Sequence, residues 1–188
     1  MHTNGLQGIS RWWLGVRWVV WGGAAVLLLL PLLAMQFTGE VNWTWSDFVV
    51  MGTLLSLVCG AFELAIRTAR SDTYVIAFGI GVATAFLTTW SNLAVGIIGN
   101  ENNPANLMFF GVVAIAFFGS IIAGFTSRRM AYAMEAAALA QLAACVAALV
   151  LDGTYVFVIT AVFAGMWLAS AQLFRKAARQ EAGSRAAS

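Results

Sequence analysis

The sequence predicts an all-α polytopic membrane protein, a bundle of six transmembrane helices whose two termini both lie on the cytoplasmic side. Three observations lead there. Apolar runs of bilayer-spanning length recur six times, basic residues fall on only one side of that pattern, and aromatic residues gather at the ends of the runs. With 61% hydrophobic and 10% charged residues over 188 positions, the chain departs from the roughly 45–50% apolar and about 25% charged composition of soluble domains.

A helix needs about 20 apolar residues to cross a hydrocarbon core of roughly 30 Å. The runs are Trp18–Phe37, Phe48–Ile66, Tyr74–Ile98, Asn106–Phe125, Met130–Leu151 and Tyr155–Phe174. Turn chemistry separates them: Thr38-Gly39-Glu40, Arg70-Ser71-Asp72, Asn100 to Pro104, Ser127-Arg128-Arg129 and Asp152-Gly153-Thr154. The first run follows Arg11 and Arg17 as a signal peptide would, but lacks a small-x-small cleavage pattern, so an uncleaved anchor is expected. Residues 1–17 form a cytoplasmic segment, 18–174 the transmembrane domain and 175–188 a cytoplasmic tail. Within the first, Leu6–Trp18 is apolar and aromatic with two Arg, a pattern that suits a short helix on the membrane surface. The tail is expected to be partly helical, then frayed, with weak attraction to anionic lipid.

Cytoplasmic connections carry the Lys/Arg excess of a membrane protein. Arg11 and Arg17, Arg67 and Arg70, Arg128 and Arg129, then Arg175, Lys176, Arg179 and Arg185 all fall on one side. The opposite connections hold Glu40, Asp47, Glu101 and Asp152 and no basic residue. A missed helix would scramble this segregation, so the charges support the count of six independently of hydropathy. Trp12, Trp13, Trp18, Trp21, Tyr74 and Tyr132 mark the inner boundary, and Trp43, Trp45 and Tyr155 the outer one.

Several functions are disfavoured. A net charge of +2 confined to loops makes nucleic acid an unlikely partner, leaving the lipid bilayer and a membrane-protein partner or second copy. His2 is the only histidine, which disfavours haem and His-ligated metals. Cys59 and Cys145 lie inside apolar runs and read as small core residues. Gly-x-Ser-x-Gly and phosphate-binding glycine loops are absent, so no enzyme is expected.

Four groups of residues could carry function. Helix three places Gly81, Thr84, Thr88, Asn92, Gly96 and Gly99 along one face, beside Gly52, Ser56 and Gly60 of helix two and Ala116, Ser120 and Gly124 of helix four. Such small-residue stripes let helices approach closely. The alternative is a polar path between helices two, three and four through Thr84, Thr88, Asn92 and Gly96, which predicts water along that face.

Glu63 and Glu135 are acids inside apolar runs, each within about one turn of the cytoplasmic boundary. Arg67 is one turn beyond Glu63, the spacing of an i,i+4 pair. The favoured reading of Glu63, Arg67 and Glu135 is an inner-leaflet ion pair, joined by Arg128 or Arg129, and the rival is proton relay. Gln141, near mid-membrane in helix five, is expected to bond a neighbouring helix.

The outer end of helix three and its loop, Trp90, Glu101, Asn102, Asn103 and Asn106 among them, form a candidate contact surface. Asn caps helices and Pro104 can begin one. The same oxygens could hold a hard cation, although no calcium-loop spacing is present. Asn92 is expected to face the bundle, and Trp90 a different direction.

The stretch Trp90-Ser91-Asn92-Leu93-Ala94-Val95-Gly96-Ile97-Ile98-Gly99, followed by Asn103-Pro104-Ala105-Asn106, resembles a family of small uncharacterised bacterial six-helix inner-membrane proteins. The likeness runs over Trp90–Gly111 and more weakly over Asn42–Arg67. It implies a bacterial cytoplasmic membrane and carries no activity, cofactor or functional residue with it. Two functions stay open: a non-catalytic accessory, scaffold or assembly protein, and a small-solute or ion transporter or channel using the helix-three stripe.

Overall fold

The structure is a computed structural model that describes residues 12–153 and 156–186, with only the backbone described at Leu14 and Asp152. His2, Arg11 and Tyr155 lie outside the described residues, as does most of the expected surface helix. Regular structure among the described residues is entirely helical: α1 (Trp13–Phe37), α2 (Trp45–Thr68), α3 (Asp72–Ala94), a single 3-10 turn (Pro104–Asn106), α4 (Leu107–Ile122), α5 (Ser127–Asp152) and α6 (Phe157–Ala186). Among the described residues six helices are long and apolar enough to cross a membrane, so the chain is a multi-pass membrane protein. The 16 residues of α4 rise only about 24 Å at 1.5 Å per residue. The preceding 3-10 turn, continuous with α4, extends it towards the bilayer thickness.

Local chemistry sets the ends. Thr44 and Asp47 form a capping box at the start of α2, and the Ser71 hydroxyl accepts the Tyr74 N–H at the start of α3. Gly153 stops α5 in the left-handed conformation at φ 66°. Between α4 and α5 both Gly124 (φ 56°) and Phe125 (φ 54°) are left-handed. That uncommon state for Phe125 is held by the Tyr74 hydroxyl donating to its carbonyl at 2.9 Å.

The helices are not equivalent. α3, α4, α5 and α6 close a ring in which α5 packs most extensively on α6, α3 on α6, α4 on α5 and α3 on α4. Alanine makes this possible: Ala133, Ala137, Ala138, Ala144 and Ala148 of α5 and Ala164, Ala171 and Ala177 of α6 are buried, letting backbones come close where lipid supplies no hydrophobic drive. At Gly119 of α4 an added Cβ would sit 3.0 Å from that of Ala133. α2 packs against α3 outside the ring, and α1 chiefly against α2. The Leu28 side chain lies over Gly52, 3.7 Å from where a Cβ would be. The small-residue stripe of α2 therefore serves α1 at Gly52.

Two boundaries differ from the sequence reading. α3 ends at Ala94 rather than Ile98, and Gly96 and Gly99 lie in the following loop with φ of 72° and 67°. They are therefore not part of the α3 face. α6 runs unbroken to Ala186, so the tail after Phe174, expected to be partly helical and then frayed, continues the helix. Glu181 holds this extension down by accepting a hydrogen bond from the Ser127 hydroxyl at the start of α5.

Candidate functional site

The loop after α3 is built around one side chain. Asn106 is 4% exposed. Its Oδ1 accepts from the Ile97 and Ile98 N–H groups at 3.0 and 2.8 Å. Its Nδ2 donates to the Asn100 carbonyl at 2.7 Å and the Ile98 carbonyl at 3.3 Å. The Asn106 carbonyl in turn accepts from Asn92 Nδ2 at 2.7 Å. Asn103 caps the 3-10 turn through the Ala105 N–H, and Asn102 donates to Glu101. Gly96 is required because an added Cβ would fall 2.2 Å from the Asn100 carbonyl carbon. Trp90 points elsewhere, its ring centroid 5.9 Å from that of Trp43. The outer-loop group thus divides: Asn106 is a buried organiser, while Glu101 and Asn102 are exposed. Asn100, Asn102 and Asn103 all bond within the loop itself.

Of the helix-three stripe only Gly81 lines the space between α2, α3 and α4. Thr84 and Thr88 are fully buried and Asn92 nearly so, at 2%. One and two turns away on the same face, the Ala77 carbonyl accepts from the Ser170 hydroxyl of α6 at 2.7 Å. A Cβ on Gly81 would meet Met134 of α5 and Ser170 and Trp167 of α6. The face therefore looks into the ring. Ser170 and Trp167, which organise it, gave no sequence signal beyond their positions in an apolar run.

The space between α2, α3 and α4 is an apolar groove of about 280 Å³, lined by Leu57, Ala61 and Leu64 of α2, Val82 and Ala85 of α3, and Ala116, Phe117 and Ile121 of α4, and its floor reaches Met134 of α5 and Trp167 of α6. Thr84, Thr88, Asn92 and Gly96 do not line it. Of its polar residues, Ser120 is satisfied by its own helix, donating to the Ala116 carbonyl at 2.7 Å. Water along the α2, α3 and α4 face, as a polar path requires, would find only the Thr89 and Ser120 hydroxyls in an otherwise apolar lining.

At the opposite end of the bundle from the Asn106 loop the charged groups meet. Glu63 bonds Arg67 at 3.3 Å and Arg17 of α1 at 3.0 Å. The third partner is thus Arg17, where Arg128 or Arg129 was expected. Glu135 belongs to a different pair, a close ionic contact with Arg175 of α6 that lacks hydrogen-bond alignment. The Trp13 indole N–H donates to Asp72 at 3.0 Å, joining the starts of α1 and α3. Among the described residues, no three His, Cys, Asp or Glu side chains converge as metal ligands would.

Fold and site together define an all-α, multi-pass membrane protein with an interhelical core, a lipid-facing groove and a basic end. No protein-family model, curated protein or solved structure matches the chain. The resemblance therefore rests only on Trp90–Gly111 and, more weakly, Asn42–Arg67.

Proposed function

We propose that this protein is a non-catalytic accessory or assembly protein of the bacterial inner membrane, with both termini in the cytoplasm, that holds a transmembrane helix of a partner against its α2, α3 and α4 face. The groove on that face carries the reading. It is carbon-lined and opens sideways between helices whose rims, Leu57, Leu64 and Phe117, are exposed. In a bilayer such a cleft suits large apolar side chains projecting from a neighbouring helix, since helices associate in lipid through packing. The clustering of Arg17, Arg67 and Arg175 with their acids at one end supports a cytoplasmic location for that end.

Transport through the helix-three face is the rival. It is favoured by the unpartnered polar atoms of Thr88 and Asn92 inside the ring. Against it, Asn92 is tied to the Asn106 carbonyl. Mass spectrometry of the protein extracted in native lipid separates the two. We expect a discrete membrane-protein partner that is lost when Val82→Trp fills the groove and retained in Asn92→Leu. A chain that travels alone, with solute flux into sealed vesicles that Asn92→Leu abolishes, would replace this reading with transport.

A further inference from the structure

The ring interior contains a polar layer that the protein does not satisfy by itself. Gly81 of α3, Met134 of α5 and Trp167 of α6 meet at one depth: a Cβ on Gly81 would lie 3.2 Å from Met134 Sδ and 3.9 Å from the Trp167 ring. Seven residues are close to two helical turns, about 10.5 Å of rise with only a small rotation. Moving two turns towards the Asn106 loop leads to Thr88 on α3, Gln141 on α5 and, because α6 runs the other way, Thr160. All three are at most 1% exposed. Neither hydroxyl oxygen, nor either polar atom of the Gln141 amide, has a hydrogen-bond partner in the protein. The fourth helix of the ring brings only carbon to this depth. Gly119 faces Ala133, and two turns on from that contact α4 presents the buried Val112.

The two hydroxyls depart from the habit of their own chain. Thr53, Ser56, Thr68, Thr84 and Ser120 each donate to the carbonyl four residues earlier, the usual way a helical hydroxyl is satisfied in lipid. Thr88 and Thr160 do not. Asn92 Oδ1, one turn beyond Thr88, and Trp167 Nε1, at the Gly81 level, are also buried without partners. In a bilayer such atoms are costly unless something bonds them. No carboxylate, amine, guanidinium or imidazole stands at this depth on α3, α4, α5 or α6, and the nearest titratable group is the Cys145 thiol one turn beyond Gln141, so the occupant is uncharged and must both donate and accept.

We propose that Thr88, Gln141 and Thr160 form a binding site for internal water, one or a few molecules bridging α3, α5 and α6. The test uses the full chain in lipid nanodiscs with 15N-labelled glutamine, the Gln141 side-chain signal being assigned by its loss in Gln141→Met. Magnetisation transfer from water to the Gln141 amide protons is expected. It should fall at least fivefold in Thr88→Val/Thr160→Val and persist in Thr88→Ser/Thr160→Ser. Transfer to the Gln141 amide from threonine hydroxyl protons alone, with none from water, would overturn the proposal in the unsubstituted protein, whatever the variants do.

A second, independent observation concerns the basic end. α5 opens with Ser127-Arg128-Arg129 and has no acid in its first turn, so two cations sit at the positive end of a helix dipole. Beside them is a hollow of about 310 Å³ lined by Arg128, Tyr132, Arg175 and Arg179, with Ala178 and Ala182. Of the nearby acids Glu135 is paired with Arg175, while Glu181 accepts from the Ser127 hydroxyl and keeps its charge, leaving Arg128, Arg129 and Arg179 in excess over it. Two turns deeper on the same faces, Tyr132 leads to Leu139 and Arg175 to Leu168, which are 68% and 43% exposed. A cationic hollow above an apolar seam matches a phosphate attached to an acyl chain.

We infer that the α5/α6 seam binds an anionic phospholipid, its phosphate held by Arg128 and Arg179, with Arg175, paired to Glu135, at the edge of the hollow. Native mass spectrometry of delipidated protein should retain phosphatidylglycerol but not phosphatidylcholine. Occupancy should fall at least fivefold in Arg128→Ala/Arg179→Ala and stay unchanged in Arg67→Ala/Arg70→Ala. Equal retention of both lipids, or an unaffected double variant, would remove the site. Saturation by inorganic phosphate with no lipid preference would make it a free-anion site instead.

Discussion

At Asn106 one carboxamide occupies both ends of its hydrogen-bonding capacity within a buried loop. Replacing it with Ala strands at least two N–H groups and a carbonyl where water is scarce. Each such group costs about 1–3 kcal/mol. Asn106→Ala is therefore expected to destabilise the protein by about 3 kcal/mol or more, read as a lowered melting temperature in detergent. Asn102→Ala, on the exposed side of the same loop, should stay within about 0.5 kcal/mol. Gly96→Ala combines a left-handed backbone, worth about 1–3 kcal/mol of strain in a non-glycine residue, with an overlap on Asn100. It should be at least as damaging. The sequence marked Asn106 as one amide among several and could not rank it, because the partners that make it central are backbone groups, which every residue possesses. Gly96 was assigned to the α3 face for a related reason: in a membrane chain glycine serves close helix packing and left-handed turns equally well.

Among the elements, α1 is held to the rest by few polar contacts. Arg17–Glu63 and Trp13–Asp72 pin its start, and beyond them Leu27, Leu30 and Leu33 are more than half exposed. Glu63→Gln removes the anion shared by Arg17 and Arg67. Arg17 and Arg67 are 40% and 73% exposed, so the loss should be small, up to about 1 kcal/mol, and should shrink further as salt rises. Distance measurements between spin labels on α1 and α2 should broaden at the basic end while the α3 to α6 ring is unchanged. An intact distance distribution would show that helix packing, not the ion pair, positions α1. The six helices were legible because run length and charge placement report on the bilayer. Which helices touch was not. With lipid as apolar as the core, every face of α3 is a plausible packing face, and the period that aligned Thr84, Thr88 and Asn92 could not say that they turn into the ring.

For the whole molecule, the paired charges gather at one end and the Asn106 loop lies at the other. Reporter fusions at both termini and near residues 70 and 128 should all signal from the cytoplasm, following the positive charges. A periplasmic signal at residue 128 would invert half of the assignment. The ring is made wholly of the later helices, α3 to α6, and it closes through α3 against α6. That arrangement has a temporal side. A ribosome working at about 5–20 residues per second delivers α6 roughly 5–20 seconds after α3. Asn92 finds its partner early, because Asn106 follows closely in the chain, but Thr84 and Thr88 wait for a cover that is synthesised last. Until then the membrane holds α3 with its most polar face unburied, a stage at which the insertion machinery, or a neighbouring copy, has something to hold.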